Sequence, residues 1–354
     1  MGTRHSAAFT AILAAVLFGA TTPFAKALLG ALSPFMVAGL FYLGSGCGLA
    51  VAMLIRGVRR EPAVNTPNEL AMPRRELPWL MGAIAAGGIA GPALLMFGLA
   101  ATPAATASLL LNLEGVITAL IAWFVFRENV DTRVFLGMMA IVAGGVLLSW
   151  QPGGGGVGAG ALLVAAACLC WAIDNNLTRK VSTNDAMFSA CVKGLVAGVV
   201  NVGIARALGA HAPAASLIAA SMVAGLAGYG VSLVLFVIAL RHLGTARTGA
   251  YFSVAPLFGV AISFALWPGQ PTPIFWIAAA LMALGVWLHL RERHDHEHTH
   301  DPLDHSHRHR HDEHHQHQHD FDWDGVEPHV HPHVHARITH THAHFPDIHH
   351  RHRH

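Results

Sequence analysis

Residues 104–126 read AATASLLLNLEGVITALIAWFVF, and Glu114 is the only charged residue among them. A hydrocarbon core of roughly 30 Å requires about 20 apolar residues at about 1.5 Å per residue of helix, so this stretch is long enough to cross a bilayer. Windows of the same kind recur along the chain, bounded by charged residues, Pro or Gly. The ten predicted spans are 7–29, 34–55, 78–101, 104–126, 133–150, 159–181, 186–208, 214–240, 245–266 and 273–290.

The composition favours the same fold class. Of the 354 residues, 53% are hydrophobic and only 12% are charged, whereas charged residues make up about 25% of an ordinary soluble domain. The four cysteines lie inside apolar runs, where we interpret them as small buried hydrophobic residues rather than a disulfide framework. We therefore predict an all-α integral membrane protein with ten transmembrane helices.

The loops between the predicted helices differ in charge on alternate sides. On one side, Arg206 is the only basic residue. Because cytoplasmic loops are enriched in Lys and Arg, the opposite loops should be cytoplasmic. We expect a multi-pass protein of the inner (plasma) membrane with both termini in the cytoplasm. The basic residues on the expected cytoplasmic side are Arg56, Arg59, Arg60, Arg74, Arg75, Arg127, Arg133, Arg179, Lys180, Arg241 and Arg247.

The chain also contains an internal duplication. A shift of 153 residues aligns 17–21 (LFGAT) with 170–174 (CWAID), and a shift of 141 residues aligns 113–116 (LEGV) with 254–257 (VAPL). Because each repeat has an odd number of helices, five, its second copy enters the membrane from the opposite side. The two copies therefore have opposite orientations, as in the inverted repeats of many transporters. The predicted organisation is a first five-helix repeat, a second five-helix repeat and a tail, over residues 1–150, 151–293 and 294–354.

Two stretches of the first repeat, 107–116 (ASLLLNLEGV) and 122–128 (AWFVFRE), resemble the drug/metabolite transporter superfamily, in particular its EamA-type members. The resemblance covers about residues 7–290. Gly115 stands where the family often has Pro, and the second repeat lacks both glutamates of this pattern. The resemblance implies transport of small organic metabolites or drugs, commonly export, without an ATP-binding domain.

Ionisable residues within the predicted spans are candidates for the transport site, because a charged group inside a bilayer costs about 2.5–3.5 kcal/mol. Glu114 lies near the middle of the fourth span, where it is either a protonatable coupling site and substrate contact or a structural carboxyl group bonded to a neighbouring helix. Asp174, followed by Asn175, lies in the inner part of the sixth span. It either faces a central cavity or pairs with Arg179 or Lys193.

Two cationic residues, Lys26 and Arg179, occupy equivalent positions of the two repeats. In an inverted fold such residues lie near opposite faces of the membrane, so they are candidates for gating. The alternative, which we prefer, is that their long side chains extend to the membrane interface.

The tail contains 23 of the 27 histidines, often at alternate positions. It has too few apolar residues to build a core, and we expect it to be disordered without a ligand. Neutral imidazole binds Zn, Ni, Co and Cu, so the tail is a candidate site for a divalent metal. The alternatives are proton buffering and binding to anionic lipid. The candidate ligands are His294, His296, His298, His300, His305, His307, His309, His311, His329, His331, His333 and His335.

These features predict a secondary transporter, expected to be an exporter, with a metal-binding cytoplasmic tail. Its substrate is either an organic metabolite or drug, or a divalent cation such as Ni, Co or Zn. The alternative is a metal-responsive sensor or storage protein that uses the helices as an anchor. An enzyme is not expected, because no catalytic cluster occurs in the predicted spans.

The expected partners are the small-molecule or ion substrate and the lipid bilayer, with no nucleic acid. Transport should require no cofactor. Two small-residue motifs, Gly87–Gly91 and Gly194–Gly198, permit close helix packing within the chain or a homodimer, and we prefer packing within the chain.

Overall fold

The computed structural model describes residues 2–59, 76–126, 132–151, 156–178, 186–243, 248, 251–290, 295–300, 303–309, 329–335 and 338–343. The chain divides into two compact units, Met1–Glu292 and Arg293–His354. In its described residues the first unit is helical apart from one short strand pair, β1 (Trp150–Gln151) with β2 (Gly156–Val157). The prediction of an all-α membrane fold is confirmed for this unit.

The first five predicted spans correspond to helices of the first repeat. The third span consists of two α-helices joined by a π-helical segment, π1 (Ile84–Ala90), and the fourth span consists of two α-helices. The α-helices are α1 (Gly2–Leu28), α2 (Pro34–Arg59), α3 (Leu77–Ala83), α4 (Gly91–Ala101), α5 (Ala104–Leu110), α6 (Leu113–Phe126) and α7 (Thr132–Ser149).

The second repeat follows the same plan. Its third span, the eighth of the chain, again contains a π-helical segment, π2 (Leu226–Val231). The α-helices are α8 (Ala159–Thr178), α9 (Ala186–Ala207), α10 (Ala215–Gly225), α11 (Ser232–Leu243), α12 (Ala255–Leu266) and α13 (Pro273–Leu290).

Ten apolar segments of the described chain match the ten predicted spans. Eight of them are long and apolar enough to cross a membrane, and the shorter apolar helices Ala255–Leu266 and Pro273–Leu288 occupy the ninth and tenth positions. The ninth span is short because α12 begins only at Ala255, after a turn at Ser253 and Val254. Pro256 in the first turn of α12 suits a helix start, since its missing N–H needs no partner there.

The fourth span, predicted as one helix, is interrupted by a turn at Leu111 and Asn112. The Asn112 side chain amide donates a hydrogen bond to the Leu109 carbonyl at 2.8 Å, and the Cys168 thiol donates to the Leu110 carbonyl at 3.7 Å. These side chains satisfy backbone groups that the interruption releases from the helix, as a low-dielectric surrounding requires. The 141-residue shift places this turn at 252–253, one residue before the turn at Ser253 and Val254 that precedes α12, so both repeats have a discontinuous fourth helix.

Glycines allow the central helices to pack at backbone distance. A Cβ added at Gly194 of α9 would lie 2.8 Å from the Cα of Gly46 in α2, and one at Gly198 would lie 2.7 Å from the Leu43 nitrogen. A Cβ added at Gly88 would likewise lie 2.8 Å from the Cβ of Ala197 in α9. The glycines of the Gly194–Gly198 motif therefore serve packing within the chain, in agreement with our preferred interpretation, and the homodimer stays a prediction.

The described parts of the tail unit form four strands, whereas we expected disorder. Strand β3 (Asp295–His300) pairs antiparallel with β6 (Ile338–Ala343), and β4 (Leu303–His309) pairs antiparallel with β5 (His329–His335). Residues that alternate with histidine include Thr, Val and Ile, and both the period of two and these residue types favour strands. In these four ranges the structure therefore has paired strands where the composition predicted disorder without a ligand.

The register of the tail strands brings histidines directly opposite one another. The pairs in the two ladders are His296 with His342, His298 with His340, His305 with His333, His307 with His331, and His309 with His329. Two of the predicted metal ligands, His294 and His311, lie outside the described residues.

Candidate functional site

A cavity of about 580 Å³ opens within the helix bundle among the ends of several spans. We call it the basic-end cavity, because it lies where α8 ends and α9 begins, and the sequence between these two helices contains Arg179 and Lys180. Its polar lining includes four of the predicted site residues, namely Glu114, Asp174, Asn175 and Lys193. The structure thus brings together candidates from the fourth, sixth and seventh spans.

Glu114 lies in the first turn of α6, directly after the interruption of the fourth span. The amide of Asn175 donates a hydrogen bond to Glu114 Oε1 at 2.8 Å. The amino end of a helix carries a partial positive charge, which stabilises a carboxylate at this position. The discontinuous helix therefore aims a carboxylate into the cavity and supplies part of the field that holds its charge.

Asp174 and Lys193 form an ion pair, in which Lys193 Nζ donates a hydrogen bond to Asp174 Oδ2. Asp174 is only 4% exposed, and the Thr178 hydroxyl donates to its other oxygen at 3.0 Å. Of the two partners that we considered for Asp174, the structure shows Lys193; Arg179 lies outside the described residues. Pairing and cavity lining, which we treated as alternatives, hold together for Asp174.

A carbonyl of the π1 segment forms the next layer of the site. The Gly87 carbonyl accepts hydrogen bonds from the Tyr42 hydroxyl at 2.8 Å and from the Trp171 indole N–H at 2.9 Å. A π-helical turn interrupts the regular hydrogen-bond pattern of the helix, and such turns are frequent at functional sites. Gly87 also lies against the Asp174 carboxylate, with no room for a Cβ between them.

Aromatic side chains form much of the cavity wall. Phe18 lies 5.3 Å from Phe252 and 6.1 Å from Tyr229 between ring centroids, and Tyr229 lies 5.3 Å from Tyr42. We did not predict these residues as part of the site. The available signal was their place in mid-span, away from the interfaces where membrane aromatic residues concentrate.

A second cavity, of about 630 Å³, lies at the other end of the first unit. We call it the distal cavity; its lining includes Lys26, Thr106, Trp150, Ser263 and Trp267. Lys26 is thus separated from the four predicted site residues that line the basic-end cavity.

The Lys26 ammonium group donates hydrogen bonds to the carbonyls of Leu99 and Ala100 in the last turn of α4. A cation is favourable there because the last carbonyls of a helix lack partners and carry partial negative charge. The side chain therefore caps the end of α4, while its extension to the membrane interface and a role in gating both stay predictions.

The two cavities are lined by successive parts of the same three spans. The basic-end cavity is lined by Phe18 of the first span, Glu114 of the fourth and Phe252 of the ninth. The distal cavity is lined by Lys26, Thr106 and Ser263 of the same three spans. The stretches between them pack closely. A Cβ added at Gly259 would lie 2.7 Å from Ser108 Oγ and 2.9 Å from the Gly19 carbonyl oxygen. We call this contact of Gly19, Ser108 and Gly259 the central barrier.

A bundle of ten apolar helices in two similar halves, with a cavity at either end and a tight contact between them, is the architecture of a membrane transporter. The sequence profile described as "EamA-like transporter family" matches twice, over residues 5–150 and 158–291. The chain belongs to this family. It is a multi-pass membrane protein of a transporter family, and that membership favours a transporter over an enzyme.

Individual relatives agree with this assignment. An "Uncharacterized transporter" of Methanothermobacter thermautotrophicus is 27% identical over 290 residues, covering 78% of this chain and 84% of that protein. The "Uncharacterized transporter YyaM" of Bacillus subtilis is 23% identical over 205 residues, covering 55% of this chain and 67% of that protein. A solved crystal structure matches with a TM-score of 0.59 and 21% identity over 80% of this chain and 96% of that chain, which shows a shared fold.

Proposed function

We propose that this protein is a secondary transporter that exports a small organic solute from the cytoplasm, with the basic-end cavity as its solute-binding site. The observation that carries the proposal is the position of Glu114, a carboxylate at a helix interruption inside a cavity of about 580 Å³. An ionisable group at membrane depth is costly and is usually retained for a function. Glu114 is the proposed coupling and solute-contact residue.

The arrangement of the two cavities supports alternating access. Opposite ends of the first, fourth and ninth spans line separate cavities, and the central barrier lies between them. A movement of the two repeats that opens this barrier and closes the basic end would transfer the solute from one cavity to the other. The basic-end cavity lies where α8 ends and α9 begins, and the segment that joins these helices is expected in the cytoplasm, so this conformation would be the inward-facing one.

The donor set of the cavity favours an organic solute over a divalent metal ion. Within the described residues, no group of three or more His, Cys, Asp or Glu side chains is placed to hold a metal. Of the two cavity carboxylates, Asp174 is already paired with Lys193. A transition metal crossing the membrane would need several nitrogen, sulfur or oxygen ligands to replace its water.

Metal binding is proposed for the tail instead, as a property separate from the transported solute. Five pairs of histidines face each other across the two strand ladders. Directly opposite residues of antiparallel strands have Cβ atoms about 4.5–5.5 Å apart, a separation from which two imidazole groups can share one ion. Zn, Ni, Co and Cu are the candidate ions, and the tail would report metal availability to the transporter.

The proposed function can be tested with cells that express the full chain, Glu114→Gln or Glu297→Gln. Glu297→Gln removes one carboxylate charge from the tail and serves as the matched control. Mass spectrometry of the medium identifies solutes that accumulate with the wild-type chain, with radioactive nickel, cobalt and zinc measured in parallel and all rates normalised to membrane abundance. We expect organic export that Glu114→Gln abolishes and Glu297→Gln preserves; equal export by both variants would refute the role of Glu114.

A further inference from the structure

We propose that the solute of the basic-end cavity is a monovalent organic cation, a substituted ammonium group carried on an apolar body. This inference rests on the proposed function, because it names the chemical class of the solute that the same cavity would bind. It follows from the charge balance of the cavity, from its aromatic walls, from the hydrogen-bond partners of its polar atoms and from the pseudo-symmetry of the chain.

The first argument is charge balance. Asp174 and Lys193 form an ion pair, whereas within the described residues Glu114 forms no ion pair; Asn175, which bonds it, is neutral. The charged side chains of the described lining are Glu114, Asp174 and Lys193, so an ionised Glu114 leaves these described residues with one uncompensated negative charge. A monovalent cation neutralises this charge, whereas an anion is repelled and a divalent ion leaves one positive charge in a low-dielectric surrounding.

The walls provide the second argument. Phe18, Trp171, Tyr229, Phe236 and Phe252 line the same cavity as Glu114. The faces of aromatic rings attract ammonium groups, and rings around a carboxylate are the arrangement with which proteins recognise alkylated ammonium ligands. A small inorganic cation would lose its hydration shell without gaining enough oxygen ligands, but a substituted ammonium ion is weakly hydrated and presents carbon to the rings.

The third argument concerns the polar atoms that are free to bind. The Gly87 carbonyl already accepts bonds from Tyr42 and Trp171, so it is occupied. Glu114 Oε1 accepts the Asn175 amide, whereas Oε2 has no hydrogen-bond partner among the described residues. One carboxylate oxygen thus remains for the solute, which matches a single charged group on the ligand.

The pseudo-symmetry of the chain gives a fourth argument, because it shows that the site exists once. The 153-residue shift places Thr21 where the second repeat has Asp174, and the 141-residue shift places Gly228 where the first has Gly87. Thr21 lies against Gly228 as Asp174 lies against Gly87. The backbone contact is thus repeated, but its second copy carries no acidic group. The 141-residue shift likewise places Ala255 where the first repeat has Glu114, so among the described residues the uncompensated negative charge occurs at one location.

The test is equilibrium dialysis of the full chain in detergent with three radiolabelled probes of similar size: benzyltrimethylammonium, phenylacetate and the neutral benzyl methyl ether. Each is measured with the wild type, Glu114→Gln, Glu114→Asp, Phe18→Leu and the control Glu297→Gln. Thermal unfolding of every variant checks that it is folded, and Glu114→Asp retains the charge in case the Gln variant unfolds.

We expect the wild type and Glu297→Gln to bind benzyltrimethylammonium at least tenfold more tightly than the other two probes. Glu114→Gln should lose this preference, Glu114→Asp should retain it, and Phe18→Leu should weaken binding of the cation by about three- to tenfold through the lost ring face. Phe18→Leu should leave binding of the neutral probe within about twofold, since a large apolar side chain is kept.

Two results would overturn the inference, and they differ from failure of the proposed function. If the wild type prefers phenylacetate or the neutral probe, or binds no probe at millimolar concentration, the cation class is wrong, while Glu114-dependent export in cells would still support the transporter site. If the wild type binds the cation and Glu114→Gln binds it equally well, the cation does not bind at Glu114. If export in cells is also insensitive to Glu114→Gln, the proposed function fails with it.

Discussion

Substitution of Gly87 by Ala should disturb the site through a single added carbon atom. Its Cβ would lie 2.5 Å from the Cβ of Asp174 and closer still to the carboxylate, which real Cβ contacts do not tolerate. The carboxylate must shift, and its bonds to Lys193 and Thr178 must shift with it. Overpacking costs about 1–3 kcal/mol, and in this case it also strains a buried ion pair.

The control for this prediction is Gly115→Ala in the first turn of α6. A Cβ added at Gly115 has no atom within 4 Å, so the substitution only gains helix propensity, about 0.5–1 kcal/mol. The same gain at Gly87 offsets part of the overpacking cost. The two variants should therefore differ by about 2 kcal/mol in stability, in favour of Gly115→Ala.

The assay is thermal unfolding of the full chain in detergent, followed by tryptophan fluorescence, with export normalised to membrane abundance. An unfolding entropy of about 2.1 cal/mol/K per residue makes about 1 kcal/mol correspond to about 1–2 °C for a chain of 354 residues, so the expected difference is about 2–4 °C. Gly87→Ala should also lower export, because Trp171 and Tyr42 donate to the Gly87 carbonyl. Equal melting temperatures and equal export would refute the packing argument.

Three further predictions follow from other contacts. Asp174→Asn should destabilise the chain by about 3–5 kcal/mol by leaving Lys193 unpaired, and the double variant Asp174→Asn with Lys193→Met should recover most of that loss in thermal unfolding. Gly259→Val should reduce export at equal membrane abundance, because even its Cβ would lie 2.9 Å from a backbone oxygen of α1 in the central barrier. A chain ending at Arg293 should lose nickel and zinc binding in equilibrium dialysis but retain the binding of cationic probes; retained metal binding would contradict the assignment to the tail.

The number and place of the spans could be predicted because each depends on local hydrophobicity. The five-helix repeat was visible for the same reason, through offsets of 141 and 153 residues. Glu114 and Asp174 could be selected because a carboxyl group within an apolar run is rare, whatever the fold. These inferences required no knowledge of which helices are neighbours.

Other features of the site depend on contacts between distant segments. The interruption at Leu111 and Asn112 lies within an apolar window, and hydropathy alone does not distinguish a broken helix from a continuous one. The choice of Lys193 as the partner of Asp174 required the packing of both α8 and α9 against π1. The aromatic wall likewise assembles residues from five different spans, so no local pattern could have identified it.

The central barrier combines tight backbone packing with an unfavourable polar contact, and this combination bears on how the transporter would move. Ser108 Oγ is buried beside Gly259 and has no hydrogen-bond partner among the described residues. An unsatisfied buried hydroxyl costs about 1–3 kcal/mol, which a conformation that hydrates this contact would recover. The loss of packing between Gly19 and Gly259 opposes that gain. Packing thus favours the closed barrier while the unsatisfied hydroxyl opposes it, so binding energy at Glu114 acts together with hydration of Ser108 when the population shifts between the two conformations.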